Sequence, residues 1–298
     1  MSGAQTATVA QRPAVPTLLR DYLTLTKPKV QSLLLFTTIT TMYVAGDPSL
    51  ELVFLTCLGG ALSAGGAGAI NHAVDRDIDR TMARTANRPV ASGRVSAAAA
   101  TAFGITLGAA SFLLLALTVN PLAAALSLSG FFGYVYVYTL WLKRTTPQNI
   151  VIGGAAGAVP PLVGWAAGTG HVGVAAWLLF AIVFVWTPPH FWALALLIKD
   201  SYANARVPML PVVRGDRATS RQIVLYSIVL VAATLLPWGW GGAGPLYVVC
   251  ALALGAVFVW LAERLRRDTT PRRAMLLFHY SLLYLALLFA ALALDVSL

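Results

Sequence analysis

Long apolar runs separated by short polar ones dominate the chain. A membrane-crossing helix needs about 20 mostly apolar residues. Nine stretches approach that length: 30–46, 50–72, 97–117, 119–139, 149–168, 174–197, 222–239, 244–263 and 274–294. Backbone polar groups in hydrocarbon must be paired within the chain, so these stretches predict helices. The two-residue alternation of barrel strands is absent. The pattern predicts an all-α membrane protein of nine transmembrane helices, with a short cytosolic tail at 1–29 and a single transmembrane domain over 30–298.

Composition agrees with this reading. The 298 residues are 58% hydrophobic and 11% charged, with a mean hydropathy of +0.75, whereas soluble domains carry about 25% charged residues. Cys57 and Cys250 stand singly in apolar runs, which excludes a disulfide framework or a cysteine metal site. No apolar signal segment precedes the first basic residues.

The charges then give orientation. All 21 Lys and Arg fall in five places: Arg12 to Lys29, Arg76 to Arg94, Lys143 and Arg144, Lys199 to Arg221, and Arg264 to Arg273. With nine spans these lie on one side, and the other side carries only Asp47, Glu51 and Asp295. Basic loops stay cytosolic, so the N-terminus is expected in the cytosol and the C-terminus outside. The net charge of +10 is explained by loops facing an anionic leaflet, and no nucleic-acid partner is required. The expected location is a bacterial inner membrane, with the chemistry at its cytosolic side.

Topology accounts for the arginines but not for the acids among them. Asn71, Asp75 and Asp79 stand four residues apart in "NHAVDRDID" at the end of the second run. On a helix that spacing puts them on one face. Two carboxylates and an amide oxygen suit a hard cation, and Mg²⁺ commonly bridges one or two carboxylates to phosphate oxygens. Asp77 points elsewhere and is expected to pair with Arg80 or Arg84. Arg84 and Arg88 are candidates for phosphate, which the guanidinium fork fits.

Two further polar clusters end apolar runs on the same side. "YTLWLKRTTPQN" supplies Tyr138, Lys143 and Arg144, and "IKDSYANARVPMLPVVRGD" supplies Lys199 and Asp200. Together the three helix ends can surround a metal–diphosphate group. Tyr138 is a candidate to stabilise a carbocation through its ring face, with an interfacial belt residue as the alternative. The prolines of "WTPPHFW" are expected to break the sixth helix beside His190. An intramembrane histidine suggests function, although it can also bond across helices. The glycines of "IGGAAGAVPPLVGW" fit close helix packing rather than a phosphate loop.

These motifs resemble the UbiA superfamily of intramembrane prenyltransferases. Within it, "NHAVDRDIDRTMARTANRPVASG", "WTPPHFWALAL" and "VPMLPVVRG" are similar to the protohaem IX farnesyltransferase (haem O synthase) family, from about Asp21 to Asp295. The resemblance implies nine helices around a central cavity. It implies transfer of farnesyl from farnesyl diphosphate to a vinyl group of haem B, with addition of water, giving haem O. Mg²⁺ is then the cofactor, held by Asn71, Asp75, Asp79 and Asp200. Asp75, Asp79, Asn71, Tyr138 and Lys143 become the catalytic candidates. Arg84, Arg88, Lys143, Arg144 and Lys199 become diphosphate ligands, and His190 and Trp186 become haem contacts. A downstream haem A synthase is the implied partner. The superfamily's second D-x-x-x-D motif is reduced here to Asp200 and Asn204, with Ser201 between them. Two alternatives stay open: a UbiA-type enzyme acting on an aromatic quinone precursor, and a transporter of an anionic lipid or ion.

Overall fold

The computed structural model describes residues 15–298, so the first part of the tail, with Arg12, lies outside the described residues. Every regular element among the described residues is a helix. Val15–Leu25 forms α1 within the expected tail, and Thr26 and Lys27 turn from it into the next helix. Pro28–Ala45 forms α2, Leu50–Val74 α3, Arg76–Thr81 α4 and Ala97–Thr118 α5. Pro121–Thr145 forms α6, Asn149–Thr169 α7 and Val174–Leu197 α8. Lys199–Asn204 forms α9, Leu210–Gly239 α10, Pro245–Arg267 α11 and Pro271–Ser297 α12.

Eight of these helices are long and apolar enough to cross a membrane: α3, α5, α6, α7, α8, α10, α11 and α12. The run at 30–46 folds as α2, which has 18 residues and buries Thr37, Thr38, Thr40 and Thr41. Lys29, Gln31 and its threonines keep it out of that set; the hydroxyls of Thr37, Thr38 and Thr40 bond back to carbonyls of their own helix, as Thr38 Oγ1 does to Leu34 O at 3.0 Å, and Thr41 Oγ1 has no partner among the described residues. Leu113, Leu117, Phe54, Trp260 and Leu283 point outward and are more than half exposed. Such a surface is stable in lipid, and the chain is a multi-pass membrane protein.

Consecutive long helices pack as up-and-down neighbours, and α12 returns against α2 and α8 to close the bundle. Close approach is set by missing side chains. A Cβ on Gly66 of α3 would stand 2.5 Å from Gly104 O of α5, and one on Gly104 would stand 2.6 Å from Gly66 O. In α7, a Cβ on Gly164 would meet Thr38 O at 2.5 Å, and one on Gly154 would meet Thr187 Cγ2 at 2.9 Å. The glycine-rich α7 is thus a packing surface, as its sequence suggests.

Two predicted boundaries move. The seventh run, placed at 222–239, is helical from Asp216, and a short helix from Leu210 to Arg214 precedes it across the non-helical Gly215 (φ 76). The sixth helix does not break at its prolines: α8 runs through Pro188 and Pro189. Thr187 Oγ1 donates to Val183 O at 2.8 Å one turn back, and neighbouring helices bury the whole turn from Trp186 to His190.

Candidate active site

The acidic stripe forms where α3 hands over to α4. Asp75 interrupts regular helix geometry (φ −85, ψ 9), yet the hydrogen-bond ladder continues through it. Asp75 N donates to Asn71 O at 2.9 Å, and Asp79 N to Asp75 O at 2.8 Å. The three side chains therefore keep their four-residue register. All three are buried: Asn71 at 3%, Asp75 at 0% and Asp79 at 3% exposure.

Buried carboxylates need cations, and this pair has them. Lys143 Nζ, at the end of α6, donates to Asp75 Oδ2. Arg88 Nη1 donates to both oxygens of Asp79 at 2.9 Å. Asn71 Nδ2 donates to Asp75 Oδ2 at 2.7 Å and to Thr139 Oγ1 at 3.1 Å. Lys27 Nζ donates to Asn71 Oδ1 at 2.5 Å. Burial and the nearby Arg88 charge bring the Lys27 ammonium down to about 8, against the pull of Asp75 and Asp79.

Asp77 does not pair with Arg80 or Arg84. It takes two hydrogen bonds from Arg144, at 2.7 and 2.8 Å, and these hold its carboxyl near 2. Asp77 turns outward from the stripe, toward the end of α6, while Arg80 Nε donates to Ala91 O at 2.9 Å. Arg144 also reaches Asp75 Oδ1, at 3.7 Å. Arg84 is exposed, with no ion pair among the described residues.

The third cluster arrives differently from its sequence reading. Lys199 Nζ pairs with Asp216 at 2.8 Å. Asp200 is exposed, and it makes no ion pair among the described residues. Tyr202 of the same short helix is half-buried and lies in the field of Arg84, Arg88 and Asp75, while burial pushes its phenol up. Tyr202 joins the site's candidates from α9.

Sequence reasoning passed over Lys27, Thr139 and Tyr202. Lys27 adopts a left-handed backbone (φ 54) at the start of α2, an uncommon conformation away from glycine. Gly65 and Gly68 make room for that turn on α3, since Cβ atoms there would meet Thr26 Cβ at 3.1 Å and Leu25 O at 3.0 Å. Lys27 stands in "TKPKV", where the following proline disfavours a helical conformation at the residue before it, and that was its available signal. Thr139 and Tyr138 lie on a π-helical stretch of α6, Gly133–Leu142. Such stretches are rare and are often found at functional sites. Tyr138 lies 5.5 Å from the Tyr134 ring, whose hydroxyl is 3.4 Å from Lys27 Nζ.

His190 and Trp186 sit deeper and are bound to one residue of α12. Trp186 Nε1 donates to Ser281 O at 2.8 Å. Ser281 Oγ donates its hydrogen to Phe278 O at 2.6 Å, so it accepts from His190 Nδ1–H, also at 2.6 Å. A neutral imidazole protonated at Nδ1 presents a free lone pair at Nε2. The ring is stacked between Trp186, at 4.3 Å, and Phe278, at 4.8 Å. His72, beside the stripe, is buried with neither ring nitrogen hydrogen-bonded.

The donors fit a hard cation. Asp75 Oδ1 is buried and has no hydrogen-bond partner, a costly state for an acceptor that an added cation would relieve. Among the described residues, no group of three His, Cys, Asp or Glu side chains forms a ready-made metal cage. That matches a cation held by few protein oxygens and completed by phosphate. Lys27, Arg84, Arg88, Lys143 and Arg144 outnumber Asp75, Asp77 and Asp79 by two charges, which leaves the site ready for an anion.

A multi-pass helical bundle with this buried, cation-rich stripe at a helix end defines a class: the chain belongs to the UbiA prenyltransferase family, whose pattern matches residues 34–293. Its relatives carry one particular name. The protoheme IX farnesyltransferase of Roseiflexus sp. (strain RS-1) is 56% identical over 282 residues, covering 94% of this chain and 53% of the relative. That of Gloeobacter violaceus (strain ATCC 29082 / PCC 7421) is 51% identical over 286 residues, covering 95% and 94%. The chain therefore spans about half the length of the Roseiflexus relative and nearly all of the Gloeobacter one. Among solved structures, a UbiA homolog from Archaeoglobus fulgidus bound to GPP and Mg²⁺ superposes with a TM-score of 0.71 at 19% identity, covering 91% of this chain and 99% of that one. This last likeness concerns the fold.

Proposed function

We propose that the protein transfers the farnesyl group of farnesyl diphosphate to a vinyl group of haem B, giving haem O and diphosphate. The observation that carries this reading is the buried Asn71–Asp75–Asp79 stripe within an excess of cations. The naming of the curated relatives supports the acceptor. Farnesyl C1 bonds to the outer vinyl carbon as its C–O bond breaks. Hydroxide from water adds to the inner carbon, the remaining proton is released, and diphosphate leaves.

Asp75, Asp79 and the amide oxygen of Asn71 would hold Mg²⁺, which supplies charge neutralisation to the leaving diphosphate; the GPP- and Mg²⁺-bound homolog is in keeping with this. Lys143 and Arg88 exchange their carboxylate partners for phosphate oxygens as substrate enters, and Arg84 needs no exchange. Lys27 releases Asn71 Oδ1 and turns to the same anion. Arg144 fixes the helix end through Asp77, and Lys199 stands further out. Apolar side chains beside Tyr138 keep water from the allylic carbon until the acceptor is in place, and the Tyr138 ring face stabilises positive charge there. His190, held by Ser281, offers Nε2 to the haem iron, with Trp186 stacked on the imidazole to fix its orientation.

The orientation consistent with the basic ends is nine crossings, counting α2, with the N-terminus and active site cytosolic in a bacterial inner membrane. Haem O would pass to a haem A synthase. An aromatic quinone precursor is the competing acceptor. Membranes containing the protein, supplied with haem B, farnesyl diphosphate and Mg²⁺, should yield haem O by mass. Prenylation of an aromatic acid but not of haem would replace the acceptor.

A further inference from the structure

A second basic cluster lies away from the acidic stripe, where α11 ends and α12 begins. A cavity of about 430 Å³ opens there, lined by Leu261, Arg264, Asp268, Thr270, Arg272, Arg273 and Leu276. That volume falls within the span of small-ligand sites, roughly 300–1,000 Å³. Its chemistry is graded. Leu276, 51% exposed, forms an apolar wall beside the outward-facing Met275, 46% exposed, and the buried Leu261 forms the apolar floor. The three arginines and Thr270 form the polar mouth.

The arginines are held in different ways. Arg264 lies over the half-exposed Trp260 ring, 4.7 Å from its centroid. Arg273 Nη1 donates to Arg264 O at 2.9 Å and to Asp268 O at 3.1 Å, and it pairs with the Asp268 carboxylate at 3.0 Å. Arg272 is exposed and has no ion pair among the described residues. Three cations against one carboxylate leave two uncompensated positive charges around one cavity. Thr270 stands at the cap position of α12 without a side-chain cap bond, so the Arg272 and Arg273 amides are left open to an anion, Pro271 having no N–H.

We propose that this cleft binds the phosphate of an anionic membrane lipid, its glycerol and acyl chains lying along Leu261 and Leu276. Three features favour a lipid over a soluble phosphate: the apolar wall, the exposed Trp260 that anchors a helix end at an interface, and the placement of the cleft between two membrane-length helices. The excess charge favours phosphatidylglycerol-type headgroups over zwitterionic ones. By the up-and-down order of the helices, the cleft opens at the same end of the bundle as the acidic stripe. The site does not depend on the identity of the acceptor.

The test is native mass spectrometry of the full-length protein, delipidated and titrated with phosphatidylglycerol, phosphatidylcholine or inorganic phosphate. The expected result is a retained phosphatidylglycerol adduct that millimolar phosphate does not displace. Arg272→Gln should weaken it about fivefold, one surface arginine's share of binding to an anionic leaflet, and Asp268→Asn should strengthen it. Arg272 bonds to nothing whose loss would unfold the chain, and its turnover should match wild type. Equal retention of phosphatidylcholine, or an unchanged adduct in Arg272→Gln, would overturn the site. Displacement by inorganic phosphate would overturn the lipid source and leave a soluble phosphate ligand.

Discussion

Removing one member of the Asp75–Lys143 pair should destabilise the fold more than removing both. Asp75 is fully buried, and the Lys143 side chain is 12% exposed, so little solvent screens whichever charge is left alone. Breaking a buried pair from one side costs about 3–5 kcal/mol, whereas replacing both partners with apolar groups of similar volume is often close to neutral. Asp75→Leu strands the Lys143 ammonium, whose salt-bridge partner among the described residues is Asp75. Lys143→Met strands the Asp75 carboxylate, with Arg144 at 3.7 Å as partial relief, and should be the milder change. Asp75→Leu/Lys143→Met removes both charges. A double-mutant cycle on unfolding in detergent should therefore give a coupling of at least about 2 kcal/mol. All three variants should have lost turnover. Additive single effects would refute the reasoning, because they would mean that neither charge depends on the other for burial.

Three other outcomes follow from the geometry. Gly66→Val should destabilise the α3–α5 contact by about 1–3 kcal/mol, the usual range for overpacking, because the neighbouring atom is the Gly104 carbonyl; thermal unfolding would read it. Arg88→Gln should lower kcat about a hundredfold, the scale seen when one donor to developing charge is lost, as steady-state kinetics would measure. Asp200→Asn should retain most activity while Tyr202→Phe raises the KM for the diphosphate, since Asp200 is exposed and the half-buried Tyr202 lies in the field of Arg84 and Arg88.

The parts of the site legible in the sequence were those fixed by local geometry. Asn71, Asp75 and Asp79 kept their register because the i to i+4 ladder persists through the non-helical Asp75. The long helices were legible because lipid demands both their length and their composition. What escaped depends on contacts distant in sequence. Asp77 finds Arg144 67 residues away, so helical spacing pointed to the wrong arginines. Lys27 reaches Asn71 across 44 residues from a left-handed turn, and hydropathy does not register backbone handedness. Thr139 meets Asn71 from a π-helical stretch, where an α-helical wheel misplaces every side chain. The prolines of α8 misled for a related reason: their cost is met by packing, which sequence alone does not display.

The central claim is that the buried stripe holds a metal against a diphosphate. It is tested most directly by turnover of haem B and farnesyl diphosphate by purified protein, stripped with EDTA and then titrated with Mg²⁺, in wild type and Asp75→Ala. The account predicts haem O that disappears with EDTA, returns with Mg²⁺ in wild type, and never returns in a folded Asp75→Ala protein. Wild-type turnover by that variant, or haem O formation indifferent to EDTA, would contradict it.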